Sequence, residues 1–232
     1  QAVADTHVPA CIVLSSDKAV DPANLYGVTK MAAERLTLAA SRAYPATHFH
    51  LVRYGNVMGS RGSVLEVFQR LIQAGERCLP VTDVRMTRFF MAIDEAVRLV
   101  LLALMQPVSG YTFLPQLQAF SLHDLVCALL GKTRLDAGID YRTIGIQAGE
   151  KLHESLLTEA EQRRTFWKQH GMGCQDCYAI YPHWKTESVA QAELVDWHPF
   201  RWGGQYQSGD PRLLMTQELL GKRLHMFLGV SA

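Results

Sequence analysis

The chain has 232 residues, 48% of them hydrophobic and 19% charged, with a formal net charge of +1 at pH 7. That length and balance fit one large or two small packed domains and exclude a disordered polymer. Without a lysine or arginine run they also exclude a polyanion-binding surface, so no nucleic acid is expected as a partner.

Residues 11–15 (CIVLS) form a short apolar run, the pattern of a buried parallel strand. A polar turn passes through Asp21 and Pro22, and Asn24 is placed to cap a helix over 25–44. Residues 49–54 are a second strand, followed by the Gly-rich loop 55–62. Ser63 and Glu66 make a capping-box pattern for a helix ending near Ala74. A loop is expected over 75–90. A helix over 94–105 carries Ala96, Val97, Val100, Leu101 and Leu104 on one stripe. This apolar stretch is about half of what a bilayer requires and is interrupted by Arg98, so it is expected to be a buried helix. A strand over 110–114, a helix over 121–131, a strand over 141–146 and a helix over 150–157 follow. The tail from Thr158 is aromatic and irregular, with a strand over 178–182 and a closing helix over 216–227.

Alternating strands and helices predict an α/β fold with a mainly parallel sheet. A nucleotide-binding sheet of that type opens with a strand, a Gly-rich turn and a helix. No G-x-G-x-x-G occurs, and Gly55–Gly62 (GNVMGSRG) follows a later strand, so it does not read as the dinucleotide turn. The chain opens on Gln1 and runs almost directly into a strand, from which a start partway through a domain is expected. The first strand would then lack a neighbour on one side and expose an edge. The five cysteines are odd in number and scattered, which fits a reducing, cytoplasmic setting. A membrane-anchored form of a longer protein stays open.

The chemistry concentrates in residues 15–30, SSDKAVDPANLYGVTK. Tyr26 and Lys30 are spaced i, i+4, on one face of a helix. A phenol normally loses its proton near pH 10, and a neighbouring ammonium favours the phenolate. Tyr26 can then take a proton from a substrate hydroxyl beside a nicotinamide, with Lys30 on the nicotinamide ribose. Alone the spacing is common, and an aromatic core residue with a solvated lysine shares it. Here it follows a strand and an S-S-D-K turn at the sheet edge where open α/β proteins bind ligands. Ser16, Asp17 and Lys18 stand at that edge, and an adjacent carboxyl and amine can tune each other as acid and base.

Residues 14–30 resemble the active-site segment of the inverting UDP-N-acetylglucosamine 4,6-dehydratases. This group is linked to polysaccharide and capsule biosynthesis and belongs to the extended short-chain dehydrogenase/reductase superfamily. Four more segments resemble the same family in the same order: VRYGNVMGSRGS at 52–63, LPVTDVRMTRF at 79–89, FLP at 113–115 and IGIQAGEKLHE at 144–154. The resemblance implies a partial Rossmann-like doubly wound sheet with a smaller α/β substrate-binding part. Residues 1–114 would be the C-terminal half of the NAD(P)-binding domain, with 61–85 contributing to the substrate site, and 115–232 the substrate-binding part.

It further implies transient C4 oxidation with NADP or NAD, water elimination across C5 and C6, hydride return to C6 and inversion at C5. Ser16, Asp17, Lys18, Tyr26 and Lys30 would be catalytic, with Lys18 the candidate C5 base and Asp17 the candidate acid. Tyr26, Lys30, Tyr54 and Asn56 would meet the cofactor, and Asn56, Arg88 and Glu150 a UDP-sugar. The full-length protein would be a homo-oligomer, and the chain alone, lacking the dinucleotide turn, inactive. Among Arg61, Arg85 and Arg88, fixed cations suited to a diphosphate, Arg88 is favoured by its segment. Two departures stand out: Ser16 replaces a threonine, and Gln147-Ala148 replaces an Arg-Pro that would help hold the nucleotide. A nucleotide-sugar 4-epimerase of the same superfamily would share Tyr26 and Lys30. A truncated, non-catalytic remnant is the reading from a different class. Cys174-x-x-Cys177, even with His170 and His183 nearby, lacks a matched second pair, so no metal is expected.

Overall fold

The computed structural model describes residues 2–60, 62–136, 140–169, 176–200, 202–203 and 205–228. In chain order they form α1 (Ala2–Asp5), β1 (Ala10–Leu14), α2 (Leu25–Ala43), β2 (His48–Val52), β3 (Asn56–Val57), α3 (Val64–Gln73) and β4 (Cys78–Val81). Next come β5 (Thr87–Met91), α4 (Ile93–Leu104), β6 (Tyr111–Pro115), β7 (Gln118–Ser121), α5 (Leu122–Asp136), β8 (Asp140–Thr143) and β9 (Ser155–Leu157). The remainder is α6 (Glu159–Gln162), β10 (Thr165–Lys168), β11 (Cys177–Ile180), α7 (Glu187–Glu193), β12 (His198–Pro199), β13 (Tyr206–Gln207) and α8 (Gln217–Leu228). None of the described helices is long and apolar enough to cross a membrane. Arg61, His170 and Cys174 lie outside the described residues.

The chain divides into two compact units. The first comprises Gln1–Tyr54, Asp94–Gln116 and Ser155–Gln207, and the second Gly55–Ile93, Leu117–Glu154 and Ser208–Ala232. A six-stranded sheet in the order β1-β2-β6-β11-β10-β12 organises the first unit. β1, β2 and β6 are parallel, which is the α/β Rossmann-type core. β2 and β6 are buried almost throughout, as parallel strands covered on both faces must be. β11, β10 and β12 then join antiparallel. The tail is therefore more regular than its composition indicated. Its aromatic residues are the cross-strand and inter-element contacts: Tyr178 lies 4.6 Å from Phe200 and Phe113 6.1 Å from Trp197, ring centre to ring centre.

β1 stands at the sheet edge, paired with β2 alone among the described strands, and its last residue, Leu14, is half exposed. α4 corrects the expected stripe. Ala96, Leu99 and Ala103 face inward, while Val97, Leu101 and Leu104 are exposed. The helix is apolar almost all round, so periodicity alone did not choose the buried face, and the two alanines permit closer approach.

In the second unit β3 pairs parallel and β7 antiparallel with β5, while β4 and β8 form a parallel pair. The core gathers Leu65 and Phe68 of α3, Leu79, Met86, Phe120 and Leu125 around these strands. The expected loop at 75–90 is instead β4 and β5 joined by a short turn. Leu79, Val81, Phe89 and Met91 supply buried positions at strand spacing there. The expected helix at 150–157 is absent. Residues 147–150 form a turn, in which Gly149 has φ +84°, and β9 follows at Ser155. Gly149 takes the left-handed backbone readily, where a helix start would not place it.

Candidate active site

The parallel ladder between β1 and β2 continues beyond β1. Ser15 N donates to Val52 O at 2.7 Å and Asp17 N to Tyr54 O at 3.0 Å. The chain then closes into a 3-10 turn, Asp17–Ala19, capped by extended Ser16. The Ser16 hydroxyl accepts from Lys18 N at 3.0 Å and donates to Asp17 Oδ1 at 3.0 Å. Lys18 Nζ also reaches Asp17 Oδ1 at 3.0 Å. Asp17 is 1% exposed, and its Oδ2 is buried with no hydrogen-bond partner among the described residues. A buried carboxylate oxygen without a partner is costly, and such groups are drawn to functional positions. The amine of Lys18 remains part-exposed.

α2 begins directly against this turn. Asn24 caps it by accepting from Gly27 N at 2.9 Å. Gly27 is required there: a Cβ would stand 2.3 Å from Lys18 O and 2.9 Å from Pro22 Cβ. Absence of that one carbon lets the first turn of α2 lie on the Asp17–Lys18 backbone. Tyr26 is consequently exposed, and its hydroxyl has no hydrogen bond to the described residues. Lys30 Nζ sits 5.8 Å from the Tyr26 ring centre and donates to Leu14 O at 3.1 Å, leaving two further N–H groups. Tyr54, at the end of the β2 ladder, is half-buried; burial and the neighbouring Tyr26 phenol push its own pKa up. Ser16, Asp17, Lys18, Tyr26, Lys30 and Tyr54 are thus gathered in the first unit at the C-terminal edge of parallel strands.

The other expected residues lie in the second unit. Asn56, on β3, pairs with Phe90 of β5, and its side-chain Oδ1 is buried without a partner. Arg88, on β5, donates from Nη1 to Thr87 O at 2.7 Å and to Leu152 O at 3.3 Å. No carboxylate among the described residues pairs with it. Arg85 differs, since its guanidinium is committed to Asp83 at 2.7 Å and holds that carboxyl down at about 2. Glu150 is exposed and accepts from Gln147 N at 2.9 Å, closing its own turn. His153 Nδ1 lies 2.8 Å from the Thr87 hydroxyl, which also meets Ser208 Oγ at 2.7 Å. Burial first, then Arg88, lower the pKa of His153 and keep it neutral.

Sequence reasoning missed the charged cluster beneath the first group. Arg53 donates from Nε and Nη2 to both oxygens of Glu34, at 3.0 and 2.7 Å, and from Nη1 and Nη2 to Glu161 at 3.1 and 3.0 Å. Ser15 Oγ donates to Glu34 Oε1 at 2.6 Å, fully buried. Burial opposes the charges of Arg53 and Glu161, but their pairing outweighs it. Arg53 is held further toward its charged form and the Glu161 carboxyl down at about 2. Removing one partner from such a buried set costs about 3–5 kcal/mol. Two signals were in the sequence. Glu34 follows Tyr26 and Lys30 at i+8 and i+4 on one helix face, and Thr158-x-x-Glu161 is a capping box, both halves of which form.

A family model described as "Polysaccharide biosynthesis protein" matches residues 1–174. The chain is 40% identical over 177 residues to an inverting UDP-N-acetylglucosamine 4,6-dehydratase of Campylobacter jejuni, covering 75% of this chain and 49% of that protein. It is 38% identical over 165 residues to a UDP-glucose 4-epimerase of Rickettsia massiliae, covering 70% of this chain and 48% of that one. The X-ray structure of Pen from Bacillus thuringiensis superposes with a TM-score of 0.84 at 30% identity, covering 98% of this chain and 65% of the other. The chain therefore spans about half the length of the curated relatives it matches.

Proposed function

This chain belongs to the polysaccharide biosynthesis protein family, and we propose that it supplies the acid–base machinery of a nucleotide-sugar 4,6-dehydratase acting on UDP-N-acetylglucosamine with inversion at C5. Its sequence holds no G-x-G-x-x-G turn, and this reading expects the 232 residues by themselves to be inactive. The observation that carries the reading is Asp17: a buried carboxyl with one oxygen shared by Lys18 and Ser16 and the other without a partner among the described residues, in the turn against which the first turn of α2, carrying Tyr26, is packed. An epimerase needs Tyr26 and Lys30 but has no use for a second acid–base pair beside the sugar.

The exposed phenol of Tyr26 and the spare N–H groups of Lys30 suit a nicotinamide dinucleotide, NADP or NAD, with Lys30 on the ribose and Tyr54 and Asn56 beside it. That group, when bound, takes hydride from C4 of the sugar and returns it to C6. Tyr26 accepts the proton of the 4-hydroxyl, and the ketone formed acidifies C5–H. Moving one proton from Lys18 to Asp17 turns their ion pair into a free amine and a carboxylic acid with no change in net charge. The Lys18 amine then removes the C5 proton. Asp17 protonates the C6 hydroxyl, the C6–O bond breaks, and water leaves as the C5–C6 double bond forms. A proton delivered to C5 from solvent water on the opposite face, with the proton on Lys18 released to solvent, would give inversion. Arg88 meets the diphosphate and Glu150 the uridine ribose.

The test is Asp17→Asn in the full-length protein. Oxidation at C4, read as absorbance of reduced nicotinamide, should persist, while formation of the 4-keto-6-deoxy sugar falls by about 10²–10⁴-fold. Unchanged dehydration would exclude Asp17 as the acid and return the epimerase reading to first place.

A further inference from the structure

Tyr26, Lys30 and Glu34 recur every four residues and so form one stripe of α2. The lower two members of that stripe both hold the end of β1. Lys30 Nζ takes the carbonyl of Leu14, and Glu34 Oε1 takes the hydroxyl of Ser15. Asp17 and Lys18 follow two and three residues later. The position of the acid–base turn relative to Tyr26 is therefore set by two side chains from Tyr26's own helix. Glu34 is itself fixed, because Arg53 from the end of β2 grips both its oxygens. The same guanidinium reaches Leu156 O at 2.9 Å on β9 and Glu161 on α6, which anchors it to the far side of the unit.

We propose that Glu34 is a positioning residue: clamped by Arg53, it holds Ser15 and so sets the Asp17–Lys18 turn at the reach from Tyr26 that lets both act on one sugar. The inference rests on the dehydratase reading for the step it governs. Neither Glu34 nor Ser15 touches substrate. Both are buried, at 5% and 4% exposure. A displacement of the order of an ångström in such a pair is enough to lower turnover steeply without weakening binding.

Arg53 holds Glu34, Glu161 and Leu156 O at once, so its loss would disturb more than this clamp. The test instead uses Ser15→Ala, which keeps the buried ion pairs, and Glu34→Gln, which keeps the side-chain shape, in the full-length protein, singly and together, with UDP-N-acetylglucosamine as substrate. Ser15→Ala leaves the Arg53–Glu34 contact in place. Each single variant should lower kcat by about tenfold with KM within about twofold. The double variant should be no worse than the poorer single one, because one residue acts through the other. The proposal is overturned if Ser15→Ala keeps wild-type kcat, if the loss falls in KM, or if the two effects multiply. Failure of the underlying reading shows elsewhere, in the wild type. A wild type that reduces the nicotinamide but makes no 4-keto-6-deoxy product removes the dehydratase assignment, and the same cycle is then read on C4 oxidation. An inert wild type overturns both.

Discussion

His50 makes folding of this protein acid-sensitive in a window that can be worked out in advance. It sits in the middle of β2, fully buried, edge-on to Phe113 at 5.4 Å. Among the described residues neither ring nitrogen has a well-formed hydrogen bond, and the Gln106 backbone offers only a weak one. Burial lowers its pKa from 6.5 to about 4, and the charges of His48 and Lys185 add to this, while the nearby Gln106 carbonyl only partly opposes them. The folded state thus binds the proton more weakly than the unfolded chain. Stability contributed by neutral His50 is fully present above about pH 6.5 and is lost as pH falls from there toward about 4. The full difference corresponds to about 3 kcal/mol, and roughly 2 kcal/mol of it is gone by about pH 5. Urea denaturation at about pH 7.5 and about pH 5 should show the midpoint falling by roughly 1 M, for a slope of about 2 kcal/mol per molar. His50→Leu should abolish most of that fall and cost little at neutral pH, because leucine would lose only the weak contact to the Gln106 backbone. Equal acid sensitivity in the variant would refute the assignment. Below about pH 4.5 a further loss sets in from Glu161, whose folded-state carboxyl is held at about 2 and whose contribution fades as pH falls toward that value.

Two further outcomes follow from the geometry. Arg88→Ala should weaken binding of UDP-N-acetylglucosamine to the full-length protein by about 10–100-fold in calorimetry, with Arg88→Lys recovering only part of it, since a point charge replaces a planar fork; unchanged affinity would release Arg88 from the diphosphate. Of the described cysteines, exposed Cys78 should react with a maleimide in the native protein, while Cys177, wholly buried and with its thiol pushed up by burial, should react only after denaturation; native labelling at Cys177 would show that β11 is not packed as described.

What the sequence disclosed and what it withheld divide along the range of the interactions. The helix stripe Tyr26–Lys30 and the Asn24 cap depend on residues within a few turns of one another, and spacing reports them. The Ser63–Glu66 pattern was half informative. Ser63 accepts from Glu66 N at 3.4 Å, but the Glu66 carboxylate turns to Gly62 N instead of completing the box. The Arg53 cluster joins residues 19 and 108 positions apart, and no local period records that. β4 and β5 were hidden because Pro80, Asp83 and Arg85 read as a loop. In the structure Pro80 lies in a two-strand sheet, and Asp83 and Arg85 form the turn between strands. At 150–157, Gly149-Glu150-Lys151 resembles a helix start in charge pattern, yet the pairing of Leu152 O with Thr87 N at 3.0 Å draws the segment out along β5.

That same pairing bears on the departure at Gln147-Ala148. The turn holding Glu150 is closed by Gln147 on both sides, its N–H to the Glu150 carboxylate and its carbonyl from Glu150 N at 3.1 Å. Both contacts are made by the Gln147 backbone, and its side-chain amide donates to Gly145 O at 3.0 Å. Two residues past Glu150, Leu152 places its carbonyl on Arg88 Nη1. Arg88 has no carboxylate among the described residues to neutralise it, and the adjacent His153 is kept neutral. Arg88 is therefore placed to meet a diphosphate, whereas the Arg85 guanidinium is held by Asp83. An arginine at position 147 would add a cation beside the turn that holds Glu150. On this argument Gln147→Arg should raise affinity for the nucleotide in a wild-type background and restore part of what Arg88→Ala removes.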